Sequence, residues 1–161
     1  MDDYLAKQKN RLMERIRISE LKDIIINGKF HCEPVWETDL SKIEQFYFEQ
    51  NDYMKLCKTG GLSIYMVSLE LLQKNLHQEI LQNIENDEYV DSYALQIVDD
   101  WNSRKPLSPI LLNIIDEKVY PVDGRHRLYL ALKADIPSIP FVVCKSCEIK
   151  MNHFLCLCTK N

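Results

Sequence analysis

The residue types best suited to chemistry lie in one short run, Val122-Asp123-Gly124-Arg125-His126-Arg127. Strand-like residues precede it and a helical period follows, so the run is predicted at a strand-to-helix turn. Gly124 permits a tight turn and close backbone approach. The first turn of the helix presents unpaired N–H groups and the positive end of the helix dipole, which together suit an anion. Arg125 and Arg127 supply charged forks for phosphate oxygens. His126 can donate to a phosphate or move a proton, and Asp123 can hold an arginine or help position a metal or a sugar hydroxyl. Asp123-Gly124 also makes a good turn with no ligand, and arginines at a helix start can simply be solvated. Cations there oppose the dipole, however, so two of them call for a reason beyond helix stability. The expectation is a phosphate site at Gly124, Arg125, His126 and Arg127, with His126 and Asp123 as candidate catalytic groups.

The cysteines offer a second chemistry. Six are present, at Cys32, Cys57, Cys144, Cys147, Cys156 and Cys158, and the last four read C-x2-C-x8-C-x-C with His153 between the pairs. Soft ligands at such spacing can hold zinc, but the second pair is closer than in a ribbon or finger and the stretch between is poor in turn residues. Cys144 ends the apolar run of residues 139–143, and Cys156 and Cys158 alternate with Leu155 and Leu157 as on a buried strand. The expectation is reduced, buried, apolar thiols and no metal.

The elements that would position the turn follow from periodicity. Residues 3–17 read as a basic amphipathic helix with Tyr4, Leu5, Leu12, Met13 and Ile16 among Lys7, Lys9, Arg11, Arg15 and Arg17. Ser19 is expected to cap a second short helix closed by Gly28. Residues 40–49 carry the capping pattern Ser41-x-x-Glu44, and residues 51–61 read as a loop. A strand is expected at 63–67, then a helix from Ser68 to about residue 83 on the stripe Leu69, Leu72, Leu76 and Ile80. Tyr89, Tyr93, Ile97 and Trp101 recur every fourth position, predicting a helix with an aromatic inner face. Its outer face is acidic, with no basic residue between 85 and 100. After Pro106 and Pro109 come strands at 110–115 and 118–122 around an Asp116-Glu117 turn, a helix at 125–134, a strand at 141–144 and one further strand. This is an α+β domain with a small mixed sheet and flanking helices (residues 62–161), behind an N-terminal helical extension (residues 1–61).

Composition bounds the function classes. The chain has 161 residues, 46% hydrophobic and 27% charged, with 20 Lys and Arg against 24 Asp and Glu. Such balance is that of a globular domain, and a net charge of −4 argues against a basic coat while leaving room for a local basic patch. No apolar run approaches the roughly 18 residues of a membrane span, and the first residues are not of secretory-signal type. A cytoplasmic protein with no membrane partner is expected.

The Asp-Gly-x-His-Arg run, preceded by Pro-Leu-Ser-Pro-Ile-Leu-Leu and followed by Ile-Pro-Ser-Ile-Pro-Phe-Val-Val, resembles the ParB/sulfiredoxin superfamily, over roughly residues 63–144. It is similar especially to members such as the free-serine kinase and the DndB-type proteins. The resemblance implies a ParB/sulfiredoxin-like fold in which this turn opens a helix that binds nucleotide phosphates. ATP, ADP or CTP with Mg2+ would be the ligand, and NTPase or phosphotransferase chemistry would follow. Sulfiredoxin carries its reactive cysteine directly before His-Arg, where this chain has Arg125, so sulfinic-acid reduction is not expected. ParB proteins continue into a helix-turn-helix region, for which too few residues follow Cys144. Kinase-like members use an upstream carboxylate as base, which places Glu79, in His77-Gln78-Glu79, among the catalytic candidates. Two other classes stay open: a DNA-acting nuclease-type protein with residues 7–17 on the backbone, and a non-enzymatic protein that self-associates or binds a partner through its N-terminal helices.

Overall fold

The computed structural model describes residues 2–50 and 60–157. Helix α1 (Asp2–Ile26) runs unbroken through Ser19, because no glycine or proline interrupts it before Gly28. There the chain turns left-handed (φ 64°), and the N–H groups of Gly28 and Lys29 bond back to the carbonyls of Ile25 and Ile24, a Schellman closure. One long helix thus replaces the two expected. Its second half is docked through Leu21 and Ile25, and Arg17 holds the Asp99 carboxylate at 2.6 Å. Its first half stands exposed with Tyr4, Leu5, Leu12 and Met13.

Asp39 starts α2 (Leu40–Gln50) by accepting from the Ser41 N–H and hydroxyl at 3.0 and 2.6 Å. Glu44 does not close a capping box; it accepts from the Leu62 N–H at 2.9 Å and ties α2 to the sheet. The expected loop at 51–61 falls mostly outside the described residues.

The sheet contains β1 (Leu62–Ser68), β2 (Ile110–Ile115), β3 (Lys118–Asp123) and β4 (Ser138–Cys144), in the order β1-β4-β2-β3. β1 and β3 run antiparallel to their neighbours, whereas β2 and β4 pair in parallel. The β2–β3 hairpin turns through Asp116 and Glu117, both at positive φ (48° and 56°), as a hairpin turn matched to strand twist requires. Alternation divides the side chains between two layers. Val67, Ile110, Leu112, Val119, Ile139, Phe141 and Val143 enter the main core with α1 and the later helices, whereas Leu62, Leu111 and Val142 pack on Ile43 and Tyr47 of α2. The α+β class with a mixed sheet is as expected.

Three departures have identifiable causes. The helix expected from Ser68 breaks into α3 (Leu69–Asn75) and α4 (Gln78–Glu85), because Leu76 leaves it to bridge Val119 and the His77 N–H donates to the Val119 carbonyl at 2.9 Å. The aromatic helix begins only at α5 (Ser92–Asn102), where Asp91 accepts from the N–H groups of Tyr93 and Ala94. Tyr89 is therefore buried ahead of the helix and Tyr93 is 71% exposed, while Trp101 joins the core against Trp36. After α6 (Arg125–Lys133) and β4, the chain forms a 3-10 turn (Lys145–Cys147) and α7 (Glu148–Leu155) in place of a last strand, burying Met151 and Leu155 at helical spacing.

The thiols also depart from expectation. Cys144 is disulfide-bonded, so not every cysteine is reduced, and Cys156 is exposed beyond the end of α7; Cys32 and Cys147 are free and half-buried. Cys57 and Cys158 lie outside the described residues. Among the described residues no cluster of three or more His, Cys, Asp or Glu is placed to hold a metal, and no helix is long and apolar enough to cross a membrane.

Candidate functional site

The site is built where β3 ends and α6 begins. Gly124 joins them at φ 89° and ψ 21°, in the region glycine enters most readily. A Cβ at this position would lie 3.0 Å from Nη2 of Arg127 and 3.2 Å from the Ile110 Cα. Glycine is thus what lets the Arg127 side chain fold back across the turn. The first intrahelical bond of α6 runs from the Leu128 N–H to the Gly124 carbonyl, and no side chain caps the helix. The N–H groups of Arg125, His126 and Arg127 consequently have no acceptor within the helix.

The two arginines are used differently from a simple phosphate clamp. Arg127 is buried; its Nη2 donates to the Asp123 carboxylate at 2.6 Å and its Nη1 to the Ser108 carbonyl at 2.5 Å. It fastens the start of α6 to the segment that leads into β2. Tyr47 of α2 supports the same segment, its hydroxyl donating to the Pro109 carbonyl. Burial pushes the Tyr47 hydroxyl well above its ordinary pKa, with Arg127 opposing, so it remains a neutral donor. Arg125 leans the other way. Its Nε and Nη2 reach the Pro121 carbonyl and the Tyr120 hydroxyl at 3.2 and 3.0 Å, and its guanidinium lies 5.1 Å from the centre of the Tyr120 ring.

His126 is set by a group far away in sequence. Its Nε2 is 2.9 Å from one oxygen of Asp91, whose other oxygen caps α5. The rings of Tyr89 and Tyr93 flank the imidazole at centroid distances of 5.3 and 5.7 Å. A cleft of about 240 Å³ opens beside it, lined by Gly124, His126, Arg127, Phe46 and Tyr93, with the carboxylates of Asp100 and Asp123 on its walls. The Asp100 carboxylate is also paired with Lys105 at 3.2 Å.

Of the residues expected from the sequence, Asp123, Gly124, His126 and Arg127 converge on this cleft, and Arg125 turns towards Tyr120. Glu79 is not brought to it. It stands exposed on the first turn of α4, where its N–H donates to His77 Nδ1 at 3.3 Å, and it does not line the cleft.

Compared with known proteins, the chain matches no family model, no curated protein and no solved structure.

Asp91, Phe46, Tyr47 and the Ser108 carbonyl were not expected at the site. Asp91 had a signal, since an aspartate three residues before Ala94 at the start of a helical period is an N-cap. Its second role, on His126, depends on how α5 packs against α6. Phe46 and Tyr47 arrive from α2, in the part of the chain read as the N-terminal helical extension.

Proposed function

We propose that this chain binds the phosphate groups of a nucleotide at the start of α6. The observation that carries this reading is the uncapped first turn of α6, opened by the left-handed Gly124 and facing a cleft beside His126. Backbone N–H groups and the positive end of the helix would hold phosphate oxygens, and His126 would donate to them. The Phe46 and Tyr93 rings on the cleft walls suit a planar base; Asp100 and Asp123 line the same walls but are held by Lys105 and Arg127, so a magnesium ion travelling with the phosphates would share carboxylates already paired. In this reading Arg127 preorganises the turn and neutralises Asp123, while the backbone makes the anion contacts. NTPase or phosphotransferase activity would fall to His126 and Asp123, as the groups nearest the bound phosphates.

A thermal-shift panel of CTP, ATP, ADP and GTP with magnesium tests the reading. A ligand at about a hundredfold over its Kd adds roughly 2.7 kcal/mol of stability. The expected result is a shift for one nucleotide that is lost in His126→Ala. No shift with any of the four, or a shift that His126→Ala leaves intact, overturns it.

A second reading has its own observation. Lys7, Arg11 and Arg15 share one face of the exposed half of α1, as a DNA-backbone contact would require. Binding of a DNA duplex that weakens steeply with salt and is lost in Arg11→Ala/Arg15→Ala would support it. No binding at low salt would exclude it.

A further inference from the structure

We propose that β1 is a self-pairing edge, through which two copies of this chain join their sheets into one eight-stranded sheet. The sheet order leaves β1 with β4 as its only neighbour among the described residues. Which backbone groups face outwards follows from the ladder. The Gly61 carbonyl accepts from the Lys145 N–H, and the Leu69 N–H donates to the Pro137 carbonyl, so odd-numbered positions point at β4. The Leu62 N–H points away from β4 and is taken by the Glu44 carboxylate. By the alternation of a strand, the N–H and C=O of Ile64 and Met66 also face outwards, and no described residue pairs with them there.

Those two residues form a self-complementary set. With Tyr65 on a two-fold axis, Ile64 of one copy lies opposite Met66 of the other. Each pair then exchanges both N–H···O bonds, as directly opposed residues of an antiparallel ladder do. Glu44 terminates the ladder at Leu62 in both copies. The side-chain layer agrees. A groove of about 640 Å³ runs along this edge, lined by Leu40, Leu62, Ile64, Met66, Pro140 and Trp36, and the second copy's Ile64 and Met66 would extend that apolar surface across the axis. The same register sets Lys145, beside the start of β1, towards the end of the other copy's β1, where Glu70, held by Lys74 of its own chain at 2.6 Å, lies in the first turn of α3; an opposite charge would thus face each Lys145. β1 itself carries no charge and no proline (Leu-Ser-Ile-Tyr-Met-Val-Ser), the devices by which exposed edges ordinarily avoid pairing.

The test is sedimentation equilibrium of the full chain combined with hydrogen exchange resolved at Ile64 and Met66. Wild type at about 100 μM, a hundredfold above a micromolar Kd, is expected at twice the mass of one chain, with both amides protected and the protection lost on dilution. Met66→Lys is expected to weaken association at least tenfold while leaving the circular dichroism spectrum unchanged. Should that variant fail to fold, Met66→Pro serves instead, because it removes an outward N–H and no bond to β4. A monomer at this concentration overturns the proposal. So does a dimer in which the Ile64 and Met66 amides exchange freely, or one that a folded edge variant leaves intact.

Discussion

Arg127→Ala separates a structural role from a ligand contact, and the geometry sets its size. The guanidinium makes two charge-assisted bonds, to Asp123 at 2.6 Å and to the Ser108 carbonyl at 2.5 Å. Hydrogen bonds to charged groups contribute about 1.5–3 kcal/mol each. Asp123 is 40% exposed, so water replaces part of its lost partner and the lower figure applies there. The Ser108 carbonyl is half-buried, and the apolar stem of Arg127 is removed from its packing as well. The loss is about 3–4 kcal/mol, a large share of the roughly 5–15 kcal/mol that holds a domain folded. At about 2–4 °C per kcal/mol for a chain of this size, the melting temperature falls by roughly 6–16 °C. The assay is urea unfolding of ligand-free protein, comparing midpoints at constant slope. Arg127→Lys, which keeps the charge but not the fork, should recover less than half of the loss. A change below about 1 kcal/mol would refute the reasoning, because a fork that costs so little to remove is not fastening the turn.

Other consequences can be checked separately. Gly124→Ala should cost about 1–3 kcal/mol in the same urea assay, since alanine pays roughly 1–2 kcal/mol to be left-handed and its Cβ would press on Arg127. Burial alone would raise the Asp87 carboxyl, but hydrogen bonds from Lys133 and Tyr129, at 2.7 Å each, hold it below the ordinary aspartate value. A folded-state pKa that is depressed gives stabilisation that is complete above the unfolded value of about 3.9 and is lost as pH falls through the folded one. Asp87→Asn should therefore lower stability at pH 7 and flatten its decline below about pH 4 in urea midpoints measured against pH. Burial pushes the Cys32 thiol up to about 11, so at pH 8 it should alkylate at least about tenfold more slowly than the exposed Cys156 in a mass-resolved time course.

The strands and the α6 turn were legible because their signals are local: apolar runs bounded by Pro106, Pro109 and Asp116-Glu117, and a glycine where the backbone must go left-handed. What was not legible depended on partners distant in sequence. Leu76 and His77 sit in an unbroken helical stripe and leave it only because Val119 offers a strand edge. Leu155 and Cys156 look like the alternation of a strand, yet Met151 and Leu155, four residues apart, are both buried by a helix instead. The α1 break expected at Ser19 fails for the complementary reason. A serine tolerates a helix interior, and nothing nearby competes for its backbone.

The charges of the site show how far residue type alone can carry a functional reading. Asp123, Arg125, His126 and Arg127 looked like a set of free groups awaiting a phosphate, but each has an internal partner: Arg127 for Asp123, Tyr120 for Arg125 and Asp91 for His126. An ion-paired group offers a ligand only what remains after its partner is counted. On the proposed reading, anion binding at this turn would therefore rest less on formal charge than on the N–H groups at the start of α6, which no composition or charge count reveals. It follows that replacing His126 should affect ligand binding more selectively than replacing either arginine. Arg127 acts by shaping the turn, Arg125 points at Tyr120, and His126 alone of the three pairs a titratable ring with the open cleft.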